Sequence, residues 1–366
     1  MKIQRIQIGK IRVPLITPFK TALRTVEYVE DVVIKIETDT GLSGWGEAPP
    51  TAAITGETLE SITGAIQFIA CRLIGKNLSN FRDILETVQT AIVKNTSAKA
   101  ALEIALYDLW SQNFEKPLYQ ILGGGPSKLY TDLTISVDCV DKMVSDSEKA
   151  VSQGFRTLKI KVGKNIEEDI ERIRAIYQAV GKGIKLCIDV NQGWTVKQTI
   201  YGIDRLKELG IFPDFLEQPV IAANRKGLKH VTEYSPYPVL ADEAVFSPED
   251  AAAVLADGAA DIINIKLMKT GGLSNAMRIL AIAEIYRTEC MIGCMLEAGI
   301  SVTAAAHLAS AYHKTITRID LDGPALCSEN PLQGGIVMDG PVITLPDTPG
   351  LGITAVEGWN IEQEVC

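Results

Sequence analysis

From about Tyr130 onward the chain repeats one theme, a brief apolar strand followed by a longer stretch with helical spacing. The strands read LTISVD from Leu133, TLKIKV from Thr157, KLCIDVN from Lys185 and DFLEQP from Asp214. They continue with PVLADE from Pro238, DIINIKL from Asp261, CMIGCMLE from Cys290 and ITRIDLD from Ile316. Between most of them lie amphipathic segments such as IEEDIERIRAIYQAV. Strands joined by helical crossovers run parallel, and eight such units in series predict an α/β fold closed into a barrel. After the eighth strand comes GPALCSENPLQGG, which carries no clear long helix.

The first part of the chain has another rhythm. KIQRIQIGKIRVPL and EDVVIKIETDTGLSGWGEA read as long strands, with a hairpin turn at Asp39-Thr40-Gly41. Helical patterns follow. The clearest is SAKAALEIALYDLWSQ, with Ser97 as its expected cap and Ala101, Ile104, Ala105 and Leu109 as an apolar stripe. Strands followed by helices predict an α+β unit over 1–125, bounded at ILGGGPSK. The barrel then occupies 126–323, and the segment 324–366 returns to the first unit or the barrel rim. At 46% hydrophobic and 22% charged residues the chain suits a well-buried globule. A net charge of −9 argues against nucleic-acid or anionic-membrane surfaces. No apolar run is long enough to span a bilayer, and MKIQRIQIGKIRVP lacks the apolar core of a signal peptide. Seven scattered cysteines with no Cys-x-x-Cys suggest reduced thiols and a cytoplasmic protein.

Barrels of this kind carry their chemistry where the strands end. Those ends hold Lys159 and Lys161, then Asp189, Glu217, Asp242 and Lys266, and finally Asp320 and Asp322. Taken singly, each acid is an ordinary solvated loop residue or helix cap. Asp189, Glu217 and Asp242, however, end three consecutive strands and should meet at one mouth. Three converging carboxylates require protons or a cation. Oxygen donors without histidine or cysteine favour Mg²⁺, with Mn²⁺ as a substitute. Lys159 and Lys161 lie on one face of their strand by the period of two, where two like charges are costly without negative partners.

The set TLKIKVG, NQGW, EQPV, ADE and INIKLMKTGG resembles the muconate-lactonising branch of the enolase superfamily, over essentially the whole chain. The resemblance implies a modified TIM barrel, (β/α)7β, under an α+β N-terminal capping domain with lid loops near 16–28 and 50–58. It implies proton transfer next to a carboxylate through an enediolate. Lys161 and Lys266 are then opposed acid/base lysines, assisted by Lys159, and Asn191 and Glu243 stand beside the metal ligands. Lys159 and Mg²⁺ are expected to depress the pKa of Lys161. RIDLD further resembles the Asp-x-Asp of dipeptide epimerases, so that Asp320 and Asp322 are expected to hold a free α-ammonium. Arg24 is expected to meet a glutamate side chain; the alternative is a surface ion pair with Glu27 or Glu30. Thr134, Met295 and Glu297 complete the expected substrate contacts, with Cys294 and Ser301 reshaping the pocket. The resulting expectation is an Mg-dependent dipeptide epimerase, an isomerase inverting L-Ala-L-Glu at its second residue. Its expected setting is peptidoglycan peptide metabolism, as a homo-oligomer, with no nucleic-acid or membrane partner. Epimerisation of hydrophobic or cationic dipeptides stays open. So do N-acylamino acid racemisation, o-succinylbenzoate synthesis, cycloisomerisation, acid-sugar dehydration and a non-catalytic metabolite-binding barrel.

Overall fold

The computed structural model describes residues 1–20 and 25–366. An antiparallel sheet opens the chain: β1 (Ile3–Lys20), β2 (Thr25–Thr38) and β3 (Ser43–Ala48). Pairing of Phe19 with Val26 and Lys20 with Thr25 carries this ladder into the expected 16–28 lid, most of which is therefore strand. Arg24 lies outside the described residues.

Helix Thr96–Gln112 crosses this sheet. It packs so close to β3 that a Cβ on Gly44 or Gly46 would overlap the carbonyls of Ala105 and Ala101. The helix is buried on nearly every face rather than along one stripe. Ser97 is not its cap. Asn95 precedes the helix in the left-handed conformation, while Ser97 donates its N–H and hydroxyl to buried Glu57 at 3.0 and 2.7 Å.

After the short strand β4 (Lys128–Tyr130) come the eight barrel strands. They are β5 (Leu133–Ile135), β6 (Thr157–Lys161), β7 (Lys185–Asp189), β8 (Phe215–Glu217), β9 (Val239–Ala241), β10 (Ile262–Lys266), β11 (Glu289–Gly293) and β12 (Ile316–Asp320). Their sheet order is sequential and each pairing is parallel. The Asp132 N–H donates to the Ile319 carbonyl at 3.1 Å, joining the two ends of the series. Helices follow seven of the strands, whereas only the single turn Gly323–Leu326 follows β12. The fold is thus the expected (β/α)7β barrel beside an antiparallel N-terminal sheet.

Parallel strands covered on both faces are apolar outward and packed inward. On β6, buried Leu158 and Ile160 alternate with Lys159 and Lys161, which register with Cys187 and Asp189 on β7. Cys187, Phe215, Leu240, Ile262 and Met291 form an apolar layer of their own. The tail adds β13 (Leu332–Gly334), β14 (Val337–Asp339), β15 (Val342–Thr344), β16 (Ile353–Val356) and β17 (Asn360–Val365). β15 pairs with β4, and β17 pairs antiparallel with β1. At the boundary ILGGGPSK, Gly125 lies against the Ser310 carbonyl with no room for a side chain.

Candidate active site

The strand register delivers the charged residues to one place. Lys161 on β6 pairs with Asp189 on β7, and Asp189 pairs with Glu217 on β8. Lys159 is 1% exposed, and its Nζ lies 2.6 Å from Asp320, 2.8 Å from Glu217 and 3.2 Å from Asp189. Burial opposes its charge, but these carboxylates outweigh burial and hold its pKa well above the lysine range. Lys161 Nζ lies 2.5 Å from Asp189 Oδ2, and Lys266 Nζ lies 2.8 Å from Asp242 Oδ2. Burial opposes the Lys266 charge as well, yet Asp242 raises its pKa. A buried ammonium beside a carboxylate is stored as the acid form of a proton-transfer group.

Seven buried carboxylates share this mouth: Asp132, Asp189, Glu217, Asp242, Glu243, Asp320 and Asp322. Among the described residues, four buried ammonium groups face them, on Lys159, Lys161, Lys266 and Lys269. The excess of negative charge makes some of these acids hold their protons more tightly. Burial, aided by Asp189, raises Glu217 to about 7, and burial with Asp242 raises Glu243 to about 8. Asp189 and Asp242 also feel burial, but Lys161 and Lys266 respectively pull them below the usual carboxylate range.

The residues fit an oxygen-ligated divalent cation. Glu217 Oε2 and Asp242 Oδ1 touch ammonium groups at 2.8 and 2.7 Å outside hydrogen-bond alignment. Both are buried and accept no hydrogen bond, as are Asn191 Oδ1 and Glu243 Oε2. Unsatisfied buried oxygens and surplus negative charge suit Mg²⁺ better than a thiol- or imidazole-seeking metal. Among the described residues, however, the acids with oxygens within 4.8 Å of one another are Asp132, Asp320 and Asp322. Asp189, Glu217 and Asp242 are interleaved with ammonium groups instead.

One cavity brings together Thr134, Lys159, Lys161, Asn191, Asp242, Glu243 and Lys266 with Met295, Asp320 and Asp322. Its apolar wall includes Phe19, Ile54, Leu296 and Leu326, and Thr51 and Ala53 bring the expected 50–58 lid to it. The Thr134 N–H donates to Asp322 Oδ2 at 2.6 Å, fixing that carboxylate at the rim. Asn191, in the left-handed conformation (φ 45°), donates its N–H to Asp189 Oδ1 at 2.9 Å and its amide to Glu243 at 3.3 Å. Glu297 departs from expectation and does not line the cavity. Its carboxylate accepts from the Met295 N–H at 2.7 Å and bonds Ser301, because the chain folds back after β11 to start helix Ile300–Ala311. That turn points both Glu297 and Ser301 at Glu47 of β3, which accepts the N–H groups of Ala298, Gly299 and Ser301.

Two residues escaped the sequence reading. Asp132 stands two positions before Thr134, so the period of two was its only signal. Burial and the charges of Asp320 and Asp322 hold its pKa well above the usual range. Lys269, three positions after Lys266, is fully buried against Asp242.

Residues 5–123 match the N-terminal domain of mandelate racemase / muconate lactonizing enzyme, and residues 142–359 match the enolase C-terminal domain-like family. The chain belongs to the mandelate racemase / muconate lactonizing enzyme family of the enolase superfamily. Within this family it is 52% identical to an L-Ala-D/L-Glu epimerase of Clostridium acetobutylicum, over 97% of this chain and 99% of that one. The substrate-liganded L-Ala-D/L-Glu epimerase of Bacillus subtilis superposes with a TM-score of 0.96 at 47% identity, covering 97% of this chain and 99% of that one. A dipeptide epimerase of Enterococcus faecalis, complexed with Mg and L-Leu-L-Tyr, gives 0.92 at 42% identity, covering 97% and 100%.

Proposed function

We propose that this protein is an Mg²⁺-dependent dipeptide epimerase that inverts the α-carbon of the second residue, with L-Ala-L-Glu and L-Ala-D-Glu as its pair. The observation that carries this reading is the placing of Lys161, Lys266 and the Asp320/Asp322 pair around one cavity. The named relatives among epimerases support it. In this reading Asp189, Glu217 and Asp242 hold one Mg²⁺ per subunit, or Mn²⁺ in its stead. A bound divalent ion supplies positive charge against the substrate's C-terminal carboxylate. Lys159 adds a further fixed positive charge.

The chain's own groups do the rest. Asp320 and Asp322 take the substrate's free ammonium, which sets the second α-carbon between the two lysines. One lysine, as the amine, removes the α-proton from one face. The other, as the ammonium, returns a proton to the opposite face, so the stereocentre inverts. Thr134 steadies Asp322, and the wall containing Met295 closes the pocket against water. Residues 1–125 serve as the capping unit, 126–323 as the barrel, and 324–366 as the segment tying them together; the β17–β1 pairing supports that division. Seven free cysteines support a reducing, cytoplasmic setting, and among the described residues no helix is long and apolar enough to cross a membrane. We further place the enzyme in peptidoglycan peptide metabolism, acting as a homo-oligomer.

The test is an L,L-dipeptide library incubated with Mg²⁺ in D₂O, read by mass increase and chiral analysis. L-Ala-L-Glu is expected to gain one deuterium and its D-epimer. Equal turnover of the N-acetylated dipeptide sinks the ammonium assignment. A second reading, an epimerase for apolar second residues, is favoured by Phe19, Ile54, Leu296 and Leu326 in the wall. Preference for such dipeptides in the same screen selects it.

A further inference from the structure

A second group of buried acids, Asp31, Glu47 and Glu297, joins the N-terminal sheet to the barrel. Val33 registers with Glu47, so Asp31, two positions earlier on β2, lies diagonal to Glu47 on the same face of the sheet. Their hydrogen bonds balance only if two of the three acids carry protons. The Ala298 N–H lies 3.1 Å from both Asp31 Oδ2 and Glu47 Oε1, and the two carboxyls are within hydrogen-bonding reach of each other. A bond between two carboxyls needs a proton on one of them. Asp31 Oδ1 is buried with no partner, which is costly for an ionised group. The Ser301 hydroxyl lies 2.8 Å from Glu47 Oε2 and also against Glu297 Oε2. A hydroxyl has one proton, so it cannot donate to two carboxylates. Burial, with Glu47, raises the Asp31 pKa well above the carboxylate range, and burial raises that of Glu297 to about 7. Glu47, by contrast, accepts the Gly299 and Ser301 N–H groups at 3.2 and 2.9 Å, at the start of helix Ile300–Ala311, where a negative charge is favoured.

We propose that these residues form a proton-loaded clamp: Asp31 and Glu297 are neutral acids that donate to Glu47, Asp31 directly and Glu297 through the Ser301 hydroxyl, so that a single charge holds the loop after β11 against the N-terminal sheet. That loop carries Met295 and Leu296 of the cavity wall, and the Met295 N–H donates to Glu297 Oε1 at 2.7 Å. Loss of either proton puts a second buried charge beside Glu47 and drives the loop away. The other titratable groups facing these acids are the thiols of Cys294 and Cys327, which burial keeps protonated, and the Lys266 ammonium, which acts on Glu297 without forming an ion pair. The clamp uses none of the groups assigned to Mg²⁺ and needs no assumption about the substrate. Its sign with pH is fixed. A carboxyl whose folded pKa is raised contributes stability that is fully present below its unfolded value and is lost as pH rises through the folded one. For Glu297 that window runs from 4.5 to about 7.

The test is backbone hydrogen–deuterium exchange of the segment 294–301, read by mass spectrometry on the full chain with Mg²⁺ present. It is followed from about pH 5 to about pH 8 and corrected for the intrinsic exchange rate. Opening of the loop releases the clamp's protons, so protection in the native protein should fall about tenfold per pH unit for each proton released. Glu297→Gln and Asp31→Asn imitate the neutral acids and cannot ionise. Each should remove one proton from that slope and leave the segment better protected than in the native protein at the alkaline end. If Asp31→Asn does not fold, Glu297→Gln against the native protein carries the test. Protection that is independent of pH in the native protein overturns the clamp, and so does the same slope in the native protein and Glu297→Gln.

Discussion

At the scale of single residues, the site is a contest between burial and charge. Asp322 shows it: burial and Asp320 raise its pKa to about 6, while the Thr134 N–H works the other way. If this carboxylate holds the substrate ammonium, Asp322→Asn should lower kcat/KM for every free dipeptide. The loss should be about 10- to 150-fold, the range for one charge-assisted hydrogen bond. Steady-state kinetics on several dipeptides checks this, and a loss confined to one of them contradicts it. Lys161→Ala should abolish epimerisation while one epimer still exchanges its α-proton in D₂O. Much of this was legible in the sequence. A period of two put Lys159 and Lys161 on one face, and strand ends spaced by whole units announced Asp189, Glu217 and Asp242. Asp132 was not legible, because one acid before a short strand does not reveal that the barrel closes beside it. Glu297 was misread because its direction depends on a backbone reversal after β11 that residue types do not encode.

At the scale of elements, close backbone contact and buried polar groups decide what each helix tolerates. Gly46 of β3 meets the Ala101 carbonyl with no room for a methyl group. Gly46→Ala must push β3 from helix Thr96–Gln112, and a cost of about 1–3 kcal/mol is expected from overpacking. Thermal unfolding measures it, and an unchanged midpoint contradicts the contact. His307, on helix Ile300–Ala311, gives a pH dependence. Its Nδ1 accepts the Tyr119 N–H at 3.0 Å, so the ring is neutral, and burial lowers its pKa from 6.5 to about 3. A base with a depressed folded pKa contributes stability that is fully present above pH 6.5 and is lost as pH falls toward about 3. Denaturant unfolding of the native protein and His307→Gln should therefore converge in that direction. A constant difference from pH 7 to pH 4 rules this out. Periodicity foretold the eight strands well, since short apolar runs ending in acids differ sharply from the segments between them. Helix Thr96–Gln112 was foretold in place but not in start or surroundings, because Ser97 as a cap and Ser97 as a partner of distant Glu57 look alike in one dimension.

At the scale of the whole molecule, buried polar contacts join the N-terminal sheet to the barrel beside a hydrophobic core that runs through both. Glu47 of β3 accepts three backbone N–H groups at the start of helix Ile300–Ala311, and Asp31 of β2 shares the Ala298 N–H at 3.1 Å. The loop thus held carries Met295 and Leu296 of the cavity wall. Chelation should remove all turnover, with Mg²⁺ or Mn²⁺ restoring it, as an atomic-absorption titration against rate can follow; full activity in metal-stripped enzyme contradicts the ligand assignment. The sheet order β17-β1-β2-β3 has a consequence for synthesis. During translation β1 leaves the ribosome long before β17, and its outer ladder of amides stays bare until β17 has emerged. A polypeptide released before Asn360 keeps that open edge, the form most prone to recruiting a sister molecule in place of its own missing strand.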